Sequence, residues 1–93
     1  MRTLVTVFSR QGCHLCESVI RTLNSLSARF DLQLRVVDIN DDPSLHDKYL
    51  LTVPAVQIDG EDVFDASDMG GDASDAMVLE RLLKSHGSTS VSA

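Results

Sequence analysis

The chain reads as a single α/β domain built on a four-stranded mixed sheet, in the order strand, helix, strand, helix, strand, strand, helix. Three observations predict it. An alternating apolar segment passes directly into apolar residues at helical spacing. A second run suited to a strand follows inside the first forty residues. A later proline-led segment carries the hairpin signal Asp59–Gly60. Strand–helix–strand at this spacing implies a right-handed βαβ unit with parallel strands, and the hairpin adds an antiparallel half.

Residues 3–8 (TLVTVF) form the first strand, because Thr, Val and Phe suit a pleated surface. The helix after it places Leu15, Val19, Leu23, Leu26 and Phe30 on one face, at steps of 4, 4, 3 and 4. It should end near Arg29 or Phe30, where Asp31 breaks the pattern. Residues 32–39 (LQLRVVDI) give the second strand. Asp42 is then a good N-cap and Pro43 a good first helical residue. That helix reaches Tyr49 or Leu50 with Leu45 and Tyr49 on one face, and it is short enough to need the sheet for support. His46 is expected to be exposed on it. Pro54 heads the third strand, where proline is tolerated. The fourth runs from Glu61 to Phe64 or Asp65. A last helix spans Ala73 or Ser74 to Ser85, with Val78, Leu79, Leu82 and Leu83 as its stripe. Lys84 and His86 suit its C-terminal end, and Gly87 can stop it. Residues 88–93 lack periodicity and read as a disordered tail behind a domain of residues 1–87.

Composition narrows the function. Ninety-three residues with 43% hydrophobic content make one modest core. A formal charge of −6 argues against general binding of nucleic acid or of an anionic membrane. No apolar run is long enough to span a bilayer, and the N-terminus lacks the pattern of a signal peptide. The expectation is a cytoplasmic protein, and in a reducing interior a close cysteine pair is more often catalytic or metal-bound than structural. Residues 59–75 hold seven of the fourteen acids and no Lys or Arg. They do not fit a calcium loop, and they read as a solvated acidic face that repels or selects partners. In Met69–Gly70–Gly71, glycine N–H groups could meet an anionic backbone or a peptide carboxylate.

Both cysteines fall in residues 9–16 (SRQGCHLC), at the junction of the first strand and the first helix. The first turn of a helix has unpaired N–H groups and a dipole that favours negative charge. A thiol there ionises more readily than a free cysteine. Cys13 would lie at or just before that turn, as an exposed nucleophile. Cys16, one turn inside, would be the buried resolving thiol. Thiolate attack on a disulfide followed by internal resolution is the chemistry this pair suits. Gly12 gives the backbone freedom at the turn. Arg10 either supports a thiolate or receives a carboxylate, or is a solvent-facing charge at a strand end. His14, if partly protonated, favours the Cys13 thiolate; otherwise it faces water. Leu15 packs or lines the rim. Glu17 suits the helix dipole and opposes a nearby thiolate. A zinc site within the chain would need His14, His46 or His86 beside the cysteines, and His14 is poorly placed for it. A cluster shared between two chains stays open.

On Phe8 to Cys16 and on Thr52–Val53–Pro54, about forty residues apart, the chain resembles the glutaredoxins of the thioredoxin superfamily over residues 3–86. The resemblance implies a thioredoxin-like, glutaredoxin-type fold with Cys13 as nucleophile, Cys16 as resolving cysteine and Pro54 as a cis-proline facing them. It implies that Val53 offers its N–H and C=O to a bound peptide or glutathione, as a short added strand, with Thr52 beside it. Arg10 would meet a glutathione carboxylate. The chain departs from the usual pattern in having His14–Leu15 between the cysteines. The residues nearest to the family's glycine pair and aspartate are Gly70, Gly71 and Asp72, sixteen to eighteen positions after Pro54 and later than usual. Phe64–Asp65 stands in the expected stretch. The activity implied is that of a monomeric thiol–disulfide oxidoreductase acting on protein disulfides or glutathione mixed disulfides. Glutathione would be a co-substrate, with no tightly bound cofactor and no metal. The binding set would be Arg10, His14, Thr52, Val53, Pro54, Gly71 and Asp72. Two alternatives remain at this stage: a glutathione-assisted iron–sulfur or metal carrier, and a redox-switched interaction domain without turnover.

Overall fold

The computed structural model describes residues 3–70 and 74–85. β1 (Thr3–Ser9) lies inside the sheet. It pairs in parallel with β2 (Leu32–Asp38) on one side and antiparallel with β3 (Ala55–Ile58) on the other. β4 (Glu61–Phe64) pairs antiparallel with β3 and completes the order β2-β1-β3-β4. The four-stranded mixed sheet and the element order are those the sequence predicts.

Alternation along the strands sorts the core into two parts. Val5 and Val7 of β1 and Val56 and Ile58 of β3 pack with Val19, Leu23 and Leu26 of α1 (His14–Leu26) and with Leu79 and Leu83 of α3 (Ser74–Ser85). Phe8 and Ala55, one step out of phase, join a second cluster with Ile39 and with Tyr49 of α2 (Pro43–Tyr49). The Asp42 carboxylate caps α2 by accepting from the Ser44 N–H at 2.9 Å, and Pro43 opens the helix. At the hairpin, Asp59 and Gly60 have φ of 51° and 86°, the paired positive values that a type I′ turn requires. Asp59 also ties the turn to β1. Its N–H donates to the Leu4 carbonyl at 2.8 Å, and its carboxylate accepts from the Leu4 N–H at 3.0 Å.

Several boundaries differ from the expectation. α1 ends at Leu26, not near Phe30. The Ser27 hydroxyl donates to the Asn24 carbonyl at 2.6 Å, and the Leu26 carbonyl accepts from both Arg29 and Phe30. Serine competing for the backbone and the tightened last turn close the helix early, while Phe30 still reaches the core. β2 stops at Asp38, whose carboxylate accepts from the Asn40 N–H and turns Ile39–Asp41 into a single 3₁₀ turn. β3 starts one residue after Pro54. His46 is half-buried rather than exposed. The acidic stretch is not uniformly a solvated face, because Asp75 is buried and accepts from the Gly70 N–H at 2.8 Å. Asp65 and Asp68 cap a 3₁₀ turn, Ala66–Asp68, through reciprocal side-chain bonds. The expected tail, residues 88–93, lies outside the described residues. Among the described residues no helix is long and apolar enough to cross a membrane.

Candidate redox site

The chain leaves β1 at Ser9 and turns through Gly12, whose φ of 77° a side chain would resist. Cys13 follows as the N-cap of α1 in extended conformation. Its Sγ accepts from the Cys16 N–H at 3.2 Å. That amide is one of those a helix start leaves without a backbone partner, so the Cys13 sulfur sits where backbone donors and the helix dipole favour negative charge. The two cysteines are joined as a disulfide with Cα atoms 5.2 Å apart. They are unequal: Cys13 is half-buried, and Cys16 is 1% exposed.

Around the sulfurs stands an apolar wall. Cys13 and Cys16 share one packed cluster with Phe8, Ile39, Tyr49, Val53 and Ala55. The Phe8 and Tyr49 rings are stacked, with centroids 4.4 Å apart and planes 10° apart. The Val53–Pro54 bond is cis, and Pro54 is fully buried. The fold therefore brings together Cys13, Cys16 and the Val53–Pro54 segment from opposite halves of the sequence.

Tyr49 organises the segment before Pro54. Its carbonyl accepts from the Thr52 and Val53 N–H groups, both at 3.0 Å, and the Thr52 carbonyl accepts from Ala66 at 3.1 Å. The Val53 N–H expected to pair with an added strand is thus already used inside the molecule, because the chain closes a turn at the end of α2. The Tyr49 hydroxyl donates to Asp62 at 3.1 Å, and Gln57 donates to the same carboxylate oxygen at 2.9 Å. The Gln57 hydrogen bond holds the Asp62 carboxyl below its usual range against partial desolvation, helped by Tyr49 and by Lys48. Tyr49 was legible as a core residue of α2. Its polar partners were not, since they come from the distant hairpin.

The other predicted residues that the structure describes are distributed as follows. Arg10 is exposed and lines a cavity of about 420 Å³ with Gly12, Cys16, Glu17, Val36, Asp38 and Asp41, among others. Thr52 lines a different cavity of about 260 Å³, with Tyr49, Phe64, Asp62, Asp65 and Asp68 among its other walls. The His14 side chain is 96% exposed, with its Nδ1 3.9 Å from the Glu17 carboxylate. The Gly70 N–H, expected to receive an anion, is spent on Asp75. Gly71 and Asp72 lie outside the described residues. Among the described residues there is no group of three or more His, Cys, Asp or Glu side chains placed to hold a metal ion.

Comparison with known proteins agrees with this geometry. The family described as Glutaredoxin-like domain (DUF836) matches residues 4–86. The X-ray structure of the Northeast Structural Genomics target protein XcR50 from X. campestris superposes with a TM-score of 0.68 at 27% identity, covering 87% of this chain and 96% of that one. The solution structure of protein Ne2328 from Nitrosomonas europaea gives 0.66 at 24% identity, over 86% and 92% of the two chains. Thioredoxin 1 from Thermosipho africanus gives 0.59 at 20% identity, over 90% and 98%, a likeness of fold. No curated protein matches the chain. The fold is thioredoxin-like, and its adjacent cysteine pair is consistent with a redox function. With the family match running from β1 to the end of α3, the chain belongs to the glutaredoxin-like family.

Proposed function

We propose that the protein is a thiol–disulfide oxidoreductase of a reducing compartment such as the cytoplasm, working through Cys13 and Cys16. The observation that carries this reading is the Cys13–Cys16 disulfide at the start of α1, packed in one cluster with Val53. In the reduced protein the Cys13 thiolate attacks one sulfur of a target disulfide. A Cys13–target mixed disulfide forms, and the other target sulfur leaves as a thiolate that takes a proton from water. Cys16 then loses its proton and attacks Cys13 Sγ. The internal disulfide closes and the second target sulfur is released. Two electrons have passed to the target. Two equivalents of a small thiol such as glutathione return them, leaving as its disulfide. Arg10 and Glu17, at the edge of the site, give the approach a mixed charge.

The test is equilibration in a series of glutathione redox buffers, with thiol trapping and intact mass, for wild type and Cys16→Ser. The expected result is a reversible internal disulfide in the wild type and a single glutathione adduct on Cys13 in the variant. Absence of both species across the whole range would sink the reading. A reversible disulfide without turnover of any substrate would make the domain a switch instead.

A further inference from the structure

The apolar surface of the molecule is unevenly placed. Among the described residues the exposed large apolar side chains are Leu15, Val36, Leu51 and Met77, at 44%, 50%, 92% and 63%. Three of these four lie in segments that lead to the disulfide. Leu15 lies between the cysteines in sequence. Val36 lines the cavity that Cys16 also lines. Leu51 is two residues before Val53, which packs in the same cluster as both cysteines. A leucine at 92% exposure in an ordered turn gains nothing from folding, and apolar groups gathered around one site mark a contact surface.

One cavity in this part of the molecule has charged lining of a single sign. The cavity that Thr52, the residue after Leu51, helps to line has Asp62, Asp65 and Asp68 in its wall and no Lys or Arg. Lys48 is not among the lining residues, but its Nζ is 3.8 Å from Asp62. The whole chain carries a formal charge of −6. The two amides that could have received a carboxylate here, those of Val53 and Gly70, are both engaged internally. A cavity lined in this way disfavours an acidic peptide segment and attracts an apolar segment bearing lysine or arginine.

We infer that the disulfide end, from Leu15 across to Leu51 and the acidic cavity behind Thr52, docks a partner protein through a segment with apolar side chains and lysine or arginine close to its own disulfide. The inference takes its chemistry from the exchange reading above, while its binding component is independent of it. Leu15 and Leu51 cover the partner's apolar side chains, and the cavity receives its cationic one. The partner's disulfide is then held over Cys13.

Binding and exchange are measured separately. For binding, two fluorescent peptides of equal length carry Ser in place of Cys and the same apolar residues, one with lysines and one with glutamates. The lysine peptide is expected to bind at least tenfold more tightly in low salt, measured by anisotropy, and to lose most of that advantage at high salt. In Asp62→Asn/Asp68→Asn the advantage should fall severalfold. Each carboxamide keeps an oxygen to accept the internal hydrogen bonds, and circular dichroism reports whether the fold persists. Leu51→Ser should weaken both peptides alike. Equal binding of the two peptides, or an advantage untouched by the double variant, overturns the inference. For exchange, disulfide forms of the same peptides are compared with oxidised glutathione. Selective binding of the lysine peptide without any exchange would retain the docking surface and remove the oxidoreductase reading.

Discussion

Tyr49 shows how much one side chain carries at this site. Its ring stacks on Phe8, its carbonyl ends α2 and closes the turn to Val53, and its hydroxyl reaches Asp62. Tyr49→Phe keeps the ring and removes the hydrogen bond, and should cost about 0.5–1.5 kcal/mol in urea unfolding. Asp62 yields a prediction about pH. Its folded value lies below its unfolded one, so its contribution is fully present above the unfolded value, about 3.9. That contribution is lost as pH falls through the lower, folded value. Acid unfolding of Asp62→Asn should accordingly be less steep below about pH 4 than that of wild type. A parallel acid profile in the two proteins would show that the carboxylate is not held in this way. At this scale the sequence was informative about the placement of Cys13 and Cys16 at the start of α1, through local spacing, and about the cis bond before Pro54, through resemblance. It was uninformative about the Val53 and Gly70 amides. Whether an N–H is spent internally depends on a distant carbonyl or carboxylate, and nothing in the local pattern records that.

The elements were legible in proportion to how locally they are determined. α2 is set by its own Asp42–Pro43 start, and the hairpin by Asp59–Gly60, and both stand as expected. The end of α1 was misjudged because Phe30 continues the apolar spacing. It reaches the core from a turn, and periodicity cannot separate the two cases. The acidic stretch failed at Asp75 because a charge count does not show which acid accepts a backbone N–H and becomes buried. Leu23 lies at the centre of α1's apolar face, 1% exposed among β1 and α3 side chains. Leu23→Ala should cost about 2–5 kcal/mol. Denaturant titration checks this, and a loss below about 1 kcal/mol would mean that the helix is held chiefly elsewhere.

On the scale of the molecule, the two core clusters divide the work. The larger binds α1 and α3 to the sheet, and the smaller holds the disulfide, α2 and the Pro54 segment together. The fold was readable because strand and helix periods alternate cleanly along the chain. The residues expected to bind glutathione were readable only by resemblance; of them, Arg10 and Thr52 line separate cavities. The short link between β1 and α1 sets a limit on what the protein can reach. Only Arg10, Gln11 and Gly12 separate the last residue of an inner strand from Cys13, and Cys13 itself begins the helix. In the nucleophilic role proposed for it, a cysteine leashed this closely at both ends has no arm to extend. It can meet a disulfide that stands proud of its partner's surface, and one sunk in a recess stays beyond its tether.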